Sequence, residues 1–163
     1  MTATPDTLAR LDALIQQGIE LLQRLQDLLN AELEALQNRA LEPLQQNNRA
    51  KQECLLAVDR NIRERNALLD SLGIRHDRMS VLDFIAGLTP EDSQRLHSGW
   101  QQLESALDEV KTLNQRNEQI LLRSKQSTDQ LLALLQGHAQ GNSIYDQKGD
   151  KGRYEGQRSL GKA

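Results

Sequence analysis

Apolar residues in the second half of the chain recur at alternating intervals of four and three residues over more than five heptads. This alternation is the a/d pattern of a helix that buries one face along its whole length. A second apolar line at position g widens that face, which favours a bundle of several helices over a two-stranded coiled coil. The a/d positions hold Leu96, Trp100, Leu103, Leu107, Val110, Asn114, Asn117, Leu121, Ser124, Thr128, Leu131 and Leu135.

Boundary signals place this long helix at about 89–137. Thr89 offers a hydroxyl N-cap, Pro90 suits the first helical position, and two acidic residues follow where the helix dipole is positive. Gly137 predicts the end, since glycine commonly follows the last helical residue. A helix of this length would extend roughly 70 Å.

Two asparagines, Asn114 and Asn117, interrupt the apolar face at its middle. In one interpretation they fix the register of the bundle at some cost in stability. In the other, the helix opens here to a partner whose polar groups bond to the amides. We favour register for Asn114, and both interpretations stay open for Asn117.

Two further long helices precede this one. Thr4-Pro5 repeats the cap-and-proline signal and opens a helix at about 5–38, with leucines in heptads and Gly18 at a seam position that could admit close packing. Another helix is predicted at about 42–72, ending at Gly73. Three of its eight seam positions, Asn48, Lys51 and Arg65, are polar or charged. The eight positions are Asn48, Lys51, Leu55, Val58, Ile62, Arg65, Leu69 and Leu72.

A short helix at 80–87 and a tail complete the prediction. Ser80–Asp83 resembles a capping box, which opens the short helix. After Gly137, glycine and charged residues replace the periodicity, so the tail buries too little apolar surface to offset its ordering entropy. We predict an all-α fold: a long antiparallel helical bundle or coiled coil of three main helices plus a short connecting helix over 1–137, with a disordered, flexible glycine-rich tail over 138–163.

Composition narrows the function classes. The 163 residues suit one domain, and four aromatic residues are too few for a sheet. A net charge of −3 creates no global field that favours nucleic acid. Apolar runs are too short for membrane insertion, and no secretory signal opens the chain. The lone Cys54 cannot form an internal disulfide, so we expect a cytoplasmic protein.

Side chains capable of catalysis or metal binding are scattered. The histidines (His76, His97 and His138) and Cys54 match no zinc spacing. Cys54 falls at a g position, where we expect a small, half-buried filler and not a nucleophile. No glycine-rich phosphate loop and no Ser/His/Asp set is found in the sequence. We therefore predict no enzyme activity, no metal and no cofactor.

Several segments, taken in order, resemble FlgN-type flagellar export chaperones. Residues 113–122 read Leu-Asn-Gln-Arg-Asn-Glu-Gln-Ile-Leu-Leu and resemble the Leu-Asn-x-x-Asn-x-x-Leu-Leu stretch of that family. Residues 51–58, followed by Arg65, Leu68, Leu69, Leu72 and Gly73, are similar to its second helix, and 32–36 to its first. Residues 144–149 resemble its short Leu-Tyr-x-x-x-Gly element, with Ile144 for leucine and Asp146 where glycine is common.

The resemblance implies a bacterial export chaperone that uses no ATP itself. Such proteins bind C-terminal helical segments of the hook–filament junction proteins FlgK and FlgL, prevent premature assembly, and deliver them to the flagellar type III export gate. The implied gate-docking residues are Ile144 and Tyr145. The client-binding residues are expected on the last long helix: Asn117, Ile120, Leu121, Leu122, Leu131, Leu132 and Leu135.

Helix lengths give this expectation separate support. The last long helix outruns the first two, so part of its apolar face has no predicted cover. An uncovered apolar stripe marks a partner site or an aggregation liability. Alternatives are a structural coiled-coil protein that dimerises through this helix, an adaptor whose basic tail binds RNA or anionic lipid, and a chaperone of a related type III secretion system.

Overall fold

The computed structural model describes residues 3–147, with side chains described for 3–137. Four helices follow one another along the chain: α1 (Pro5–Gln37), α2 (Leu41–Ser71), α3 (Arg78–Ala86) and α4 (Pro90–Gln147). No strand occurs within the described part, and the predicted all-α class is confirmed. None of the described helices is both long enough and apolar enough to cross a membrane.

Local capping explains where α1 and α4 begin. The Thr4 hydroxyl accepts a hydrogen bond from the Thr7 N–H at 3.2 Å, and Pro5 opens α1 as predicted. The Thr89 hydroxyl likewise accepts from the Asp92 N–H at 3.4 Å. After α2, Gly73 takes a φ of 71°, a conformation that glycine adopts without a Cβ clash.

Two predicted boundaries differ from the structure. α3 begins at Arg78, because Asp77 Oδ1 accepts from the Ser80 N–H at 2.8 Å and thereby replaces Ser80 as the cap. α4 continues through Gly137 to Gln147. A glycine inside a helix costs about 1 kcal/mol relative to alanine but does not end it, and no proline follows within those residues. The rest of the predicted tail, 148–163, lies outside the described residues.

The described residues divide into two compact units, with the division after Glu118. The first contains α1, α2, α3 and the beginning of α4 around one apolar core. Leucine and isoleucine from α1 supply the largest share of that core, and α3 contributes two fully buried side chains. The core comprises Leu8, Leu11, Ile15, Ile19, Leu22, Leu25, Leu29, Cys54, Leu69, Val81, Ile85, Leu96, Leu103, Ala106, Val110 and Leu113.

The predicted seam of α2 is wrong at three positions. Leu55 and Ile62 are 46% and 39% exposed, and Asn48 is exposed as well. α2 has four buried residues, of which Leu69 was predicted as a seam position. The other three each precede one of the misassigned positions by one residue: Asn47, Cys54 and Asn61.

These three residues are buried because each finds a backbone acceptor on α1. Their spacing of seven residues matches a spacing of seven residues among the carbonyls, in the opposite chain direction. We call this set the carbonyl ladder. Its bonds run from Asn47 to Leu28 O at 2.9 Å, from Cys54 to Leu21 O at 3.4 Å, and from Asn61 to Leu14 O at 2.9 Å.

Cys54 is more deeply buried than predicted, with 3% of its surface exposed. Burial raises the pKa of the Cys54 thiol, against a smaller opposite effect of Arg24. The protonated thiol is the form that can donate to a carbonyl, so its place in the carbonyl ladder and its raised pKa agree.

Candidate functional site

A row of leucines on α4 is exposed within the second unit. Every one of these side chains is between 49% and 72% exposed, although leucine is usually buried. We call the row the α4 apolar stripe, and it comprises Leu121, Leu122, Leu131, Leu132, Leu134 and Leu135. Ile120, the remaining apolar residue of the predicted site, is half-buried.

Helical geometry places most of the α4 apolar stripe on one face. At 3.6 residues per turn, Leu121, Leu131, Leu132 and Leu135 fall within an arc of about 100°. They extend along about 20 Å of the helix, or four turns. Ser124 and Thr128 lie between them on the same face, and the Thr128 hydroxyl donates to Ser124 O at 3.0 Å. The face therefore has an apolar patch at each end and a small polar centre.

Asn117 does not belong to this exposed face. It lies in the first unit, is 2% exposed, and donates through Nδ2 to Leu29 O at 2.7 Å and to Glu32 Oε1 at 2.9 Å. Both amide protons are used within the protein, so a client cannot bond to them without breaking these contacts. Asn114 is exposed and bonds only locally to Glu118, so the interpretation of Asn114 as a register residue is wrong.

Asn117 is part of a network that joins three helices. Glu32 on α1, 8% exposed, receives Lys51 Nζ of α2 at 2.6 Å on one oxygen and the Asn117 amide on the other. Arg116 Nε donates to Asn117 Oδ1 at 3.1 Å, and Arg116 Nη2 reaches Asn30 at 3.1 Å. A buried carboxylate needs such partners, because an unpaired one is costly.

Sequence reasoning did not predict this network. Glu32, Lys51 and Asn117 each stand in a segment that resembles the FlgN-type chaperones, but nothing in their spacing indicates that they meet. The available signal was a charged or polar residue of each long helix at or beside a seam position. Opposite charges and an amide at such positions on neighbouring helices are candidates for a buried contact.

The remaining predicted site residues are only partly placed. Ile144 and Tyr145 lie within the helical span of α4, but their side chains are outside the described residues. No cluster of three or more His, Cys, Asp or Glu side chains capable of holding a metal occurs among the residues described. His76 instead contacts Asp70 at 2.7 Å on the surface.

Comparison with known proteins shows to which family this helical chain belongs. The family model of the FlgN protein matches residues 1–153. The chain belongs to the FlgN family. This membership confirms the resemblance and makes the protein a chaperone of flagellum biogenesis, in a family of non-enzymatic type.

A solved structure supports the assignment. The chain is similar to a flagella synthesis protein FlgN from Pseudomonas aeruginosa, with 29% sequence identity and a TM-score of 0.63. The match covers 83% of this chain and 99% of the other. Among curated proteins, no significant match to this chain is found.

Proposed function

We propose that this FlgN-family protein binds C-terminal helical segments of FlgK- and FlgL-type hook–filament junction proteins in the cytoplasm. It keeps them from assembling prematurely and delivers them to the flagellar type III export gate. The observation that carries the proposal is the α4 apolar stripe, which leaves six leucines exposed on one helix segment. Family membership favours a flagellar client over a client of a related secretion system.

The stripe has the dimensions and chemistry for an amphipathic helix. Client anchors at i, i+3, i+4 and i+7 span about two turns, so this spacing repeated over about four turns would meet both apolar patches. The hydroxyl centre at Ser124 and Thr128 accommodates a polar residue of the client between those anchors. Burying exposed leucine contributes about 25 cal/mol per Å² of apolar surface. This term favours the complex and opposes the loss of translational and rotational freedom on binding.

Introducing a negative charge into the α4 apolar stripe tests client binding. Leu131→Asp or Leu121→Asp should weaken binding of a purified junction-protein C-terminal segment more than tenfold, since an unpaired carboxylate against an apolar client costs several kcal/mol. Both side chains are exposed, so the far-UV helical signal should stay at its wild-type value. Isothermal titration measures the affinity.

Gln130→Asp is the matched control for these variants. It adds the same charge to the same helix segment, about 150° around the helix from the centre of the face that carries Leu121, Leu131, Leu132 and Leu135. Its affinity should stay within about threefold of wild type, as for other exposed substitutions. Normal binding by both leucine variants would show that the α4 apolar stripe is not the client site, and an equal loss in all three would indicate a general charge effect.

Delivery is assigned to Ile144 and Tyr145. Tyrosine provides a rigid apolar ring with one polar tip and loses little conformational entropy on binding. Tyr145→Ala should leave client affinity intact and weaken capture of the loaded chaperone by the export gate, with reduced secretion. Tyr154→Ala, outside the resembling segment, should have little effect. Normal gate capture by Tyr145→Ala, or equal defects in both variants, would remove this assignment.

The same exposed leucines favour one second candidate function, a structural coiled coil in which two copies pair through α4. Apolar seams of this kind associate in water unless a partner covers them. Sedimentation of the free protein over a wide concentration range separates the two functions. A monomer at all concentrations supports the chaperone, whereas a dimer disrupted by Leu131→Asp supports the coiled coil.

A further inference from the structure

Two hydroxyl side chains, Ser124 and Thr128, occupy the middle of the α4 apolar stripe. They hold consecutive a/d positions of the heptad pattern, with Leu121 on one side and Leu131 on the other. Both are exposed, and at 3.6 residues per turn both fall within the arc of about 100° that the leucines define. A helix that covers the α4 apolar stripe therefore has to cover these two hydroxyls as well.

The two hydroxyls differ in what they offer to a partner. Thr128 donates its hydroxyl proton to Ser124 O at 3.0 Å, so its oxygen is available to a partner only as an acceptor. The Ser124 hydroxyl rotates and can donate as well as accept. The middle of the stripe thus presents a donor and an acceptor about 5–6 Å apart, the usual separation of side chains at i and i+4 on a helix.

Covering these hydroxyls with an apolar side chain is unfavourable. Both are exposed in the free protein, and burying a hydroxyl without a replacement hydrogen bond costs free energy. A client helix with leucine at the facing position would impose this cost, whereas a client with a hydrogen-bonding side chain there would avoid it. Polar residues at a/d positions of coiled coils select partner and register for the same reason.

The group that complements this pair is a primary amide. The NH₂ of an asparagine or glutamine can donate to the Thr128 oxygen, and its carbonyl oxygen can accept from the Ser124 hydroxyl. An ionised carboxylate has no proton for Thr128. A carboxylate or an ammonium ion would also lose its hydration between two leucine patches, which makes either less suitable than a neutral amide.

We propose that Ser124 and Thr128 are specificity-determining residues, which select a client helix that carries an asparagine or glutamine between its apolar anchors. The inference rests on the proposed function, because it assigns a chemistry to the client of the same site. The leucines of the stripe contribute affinity for any amphipathic helix, and the two hydroxyls distinguish one such helix from another.

Two synthetic peptides test this selection with the full chain. Each is an amphipathic helix with leucine anchors at a/d spacing over about four turns, and the two differ only in having asparagine or leucine at the central anchor position. Fluorescence anisotropy of the labelled peptides gives the ratio of their Kd values. Ser124→Ala combined with Thr128→Val should shift this ratio about tenfold in favour of the leucine peptide, because the amide loses its partners and leucine no longer buries a hydroxyl.

Ser127→Ala is the matched control, since Ser127 is an exposed hydroxyl residue of the same segment, about 90° from the centre of the stripe. It should leave the ratio within about twofold of wild type.

Leu131→Asp separates this proposal from the proposed function. If it weakens binding of both peptides, but the double hydroxyl variant leaves the ratio unchanged or Ser127→Ala shifts it equally, the selection is overturned and the client site stands. If neither peptide binds the wild-type chain, or Leu131→Asp binds both normally, the client site and the selection are overturned together.

Discussion

Replacing Asn117 by leucine would remove the amide that joins α4 to α1. The variant loses the bond to the Leu29 carbonyl and the bond to the Glu32 carboxylate. It also leaves one oxygen of a buried carboxylate with one donor fewer, although Lys51 still pairs with the other oxygen. Leucine at this position adds apolar surface to the core, which opposes these losses.

The expected loss of stability follows from these contacts. A bond to a charged acceptor contributes about 1.5–3 kcal/mol and a neutral one about 0.5–1.5 kcal/mol. Burying the leucine returns about 1.5–3 kcal/mol. The net decrease in the free energy of unfolding is therefore about 0.5–1.5 kcal/mol, which for a chain of this size corresponds to a fall in melting temperature of about 1–6 °C.

Urea unfolding followed by circular dichroism measures this change, and Asn114→Leu is the control. Asn114 is exposed and contacts only Glu118 of its own helix, so its substitution should change stability by no more than about 0.5 kcal/mol. An Asn117→Leu protein at least as stable as wild type would refute the reasoning and leave Asn117 a register residue that costs stability.

Two further predictions concern single titratable groups. Hydrogen bonds from the Ser80 N–H and hydroxyl lower the pKa of Asp77 from 3.8, so this cap stabilises α3 above about pH 4 and loses that effect as pH falls through the lowered pKa. Asp77→Ala should therefore flatten the acid side of a plot of melting temperature against pH, and a variant with the full wild-type acid dependence would contradict this. The Cys54 thiol, buried and with a raised pKa, should react slowly with a chromogenic disulfide reagent in native buffer and rapidly in urea; immediate reaction of the native protein would show that the site opens readily.

Heptad spacing was sufficient to predict the three long helices, and a capping signal predicted the short one. The signals were long-range apolar repeats and local caps, such as Thr4-Pro5, and both act within one helix. The predicted seam of α2 failed for a different reason. Leu55 and Ile62 were assigned to the seam because they are apolar, whereas the residues that face α1 include two asparagines. Their polarity is balanced by carbonyl groups of another helix, which hydropathy does not register.

The candidate site was also predictable only in part. Exposure of Leu121 and Leu131 was expected from helix length alone, since a long stripe without an equally long partner stays uncovered. The buried position of Asn117 was not expected, because Glu32, to which it donates a hydrogen bond, lies 85 residues away in the chain.

The seven-residue periodicity of the carbonyl ladder limits the registers in which α2 can pair with α1. Sliding α2 by one to six residues would leave all its buried donors without the carbonyls they use. Sliding it by seven would rebuild two of the three bonds, so the ladder alone does not distinguish translations by a whole heptad. The short turn at 38–40 does, because the Ala40 N–H reaches Ala35 O at 2.9 Å only when the helices meet without slack. The carbonyl ladder therefore excludes shifts of less than a heptad, and the short turn excludes a shift of a whole heptad. A longer turn would permit a second alignment one heptad away.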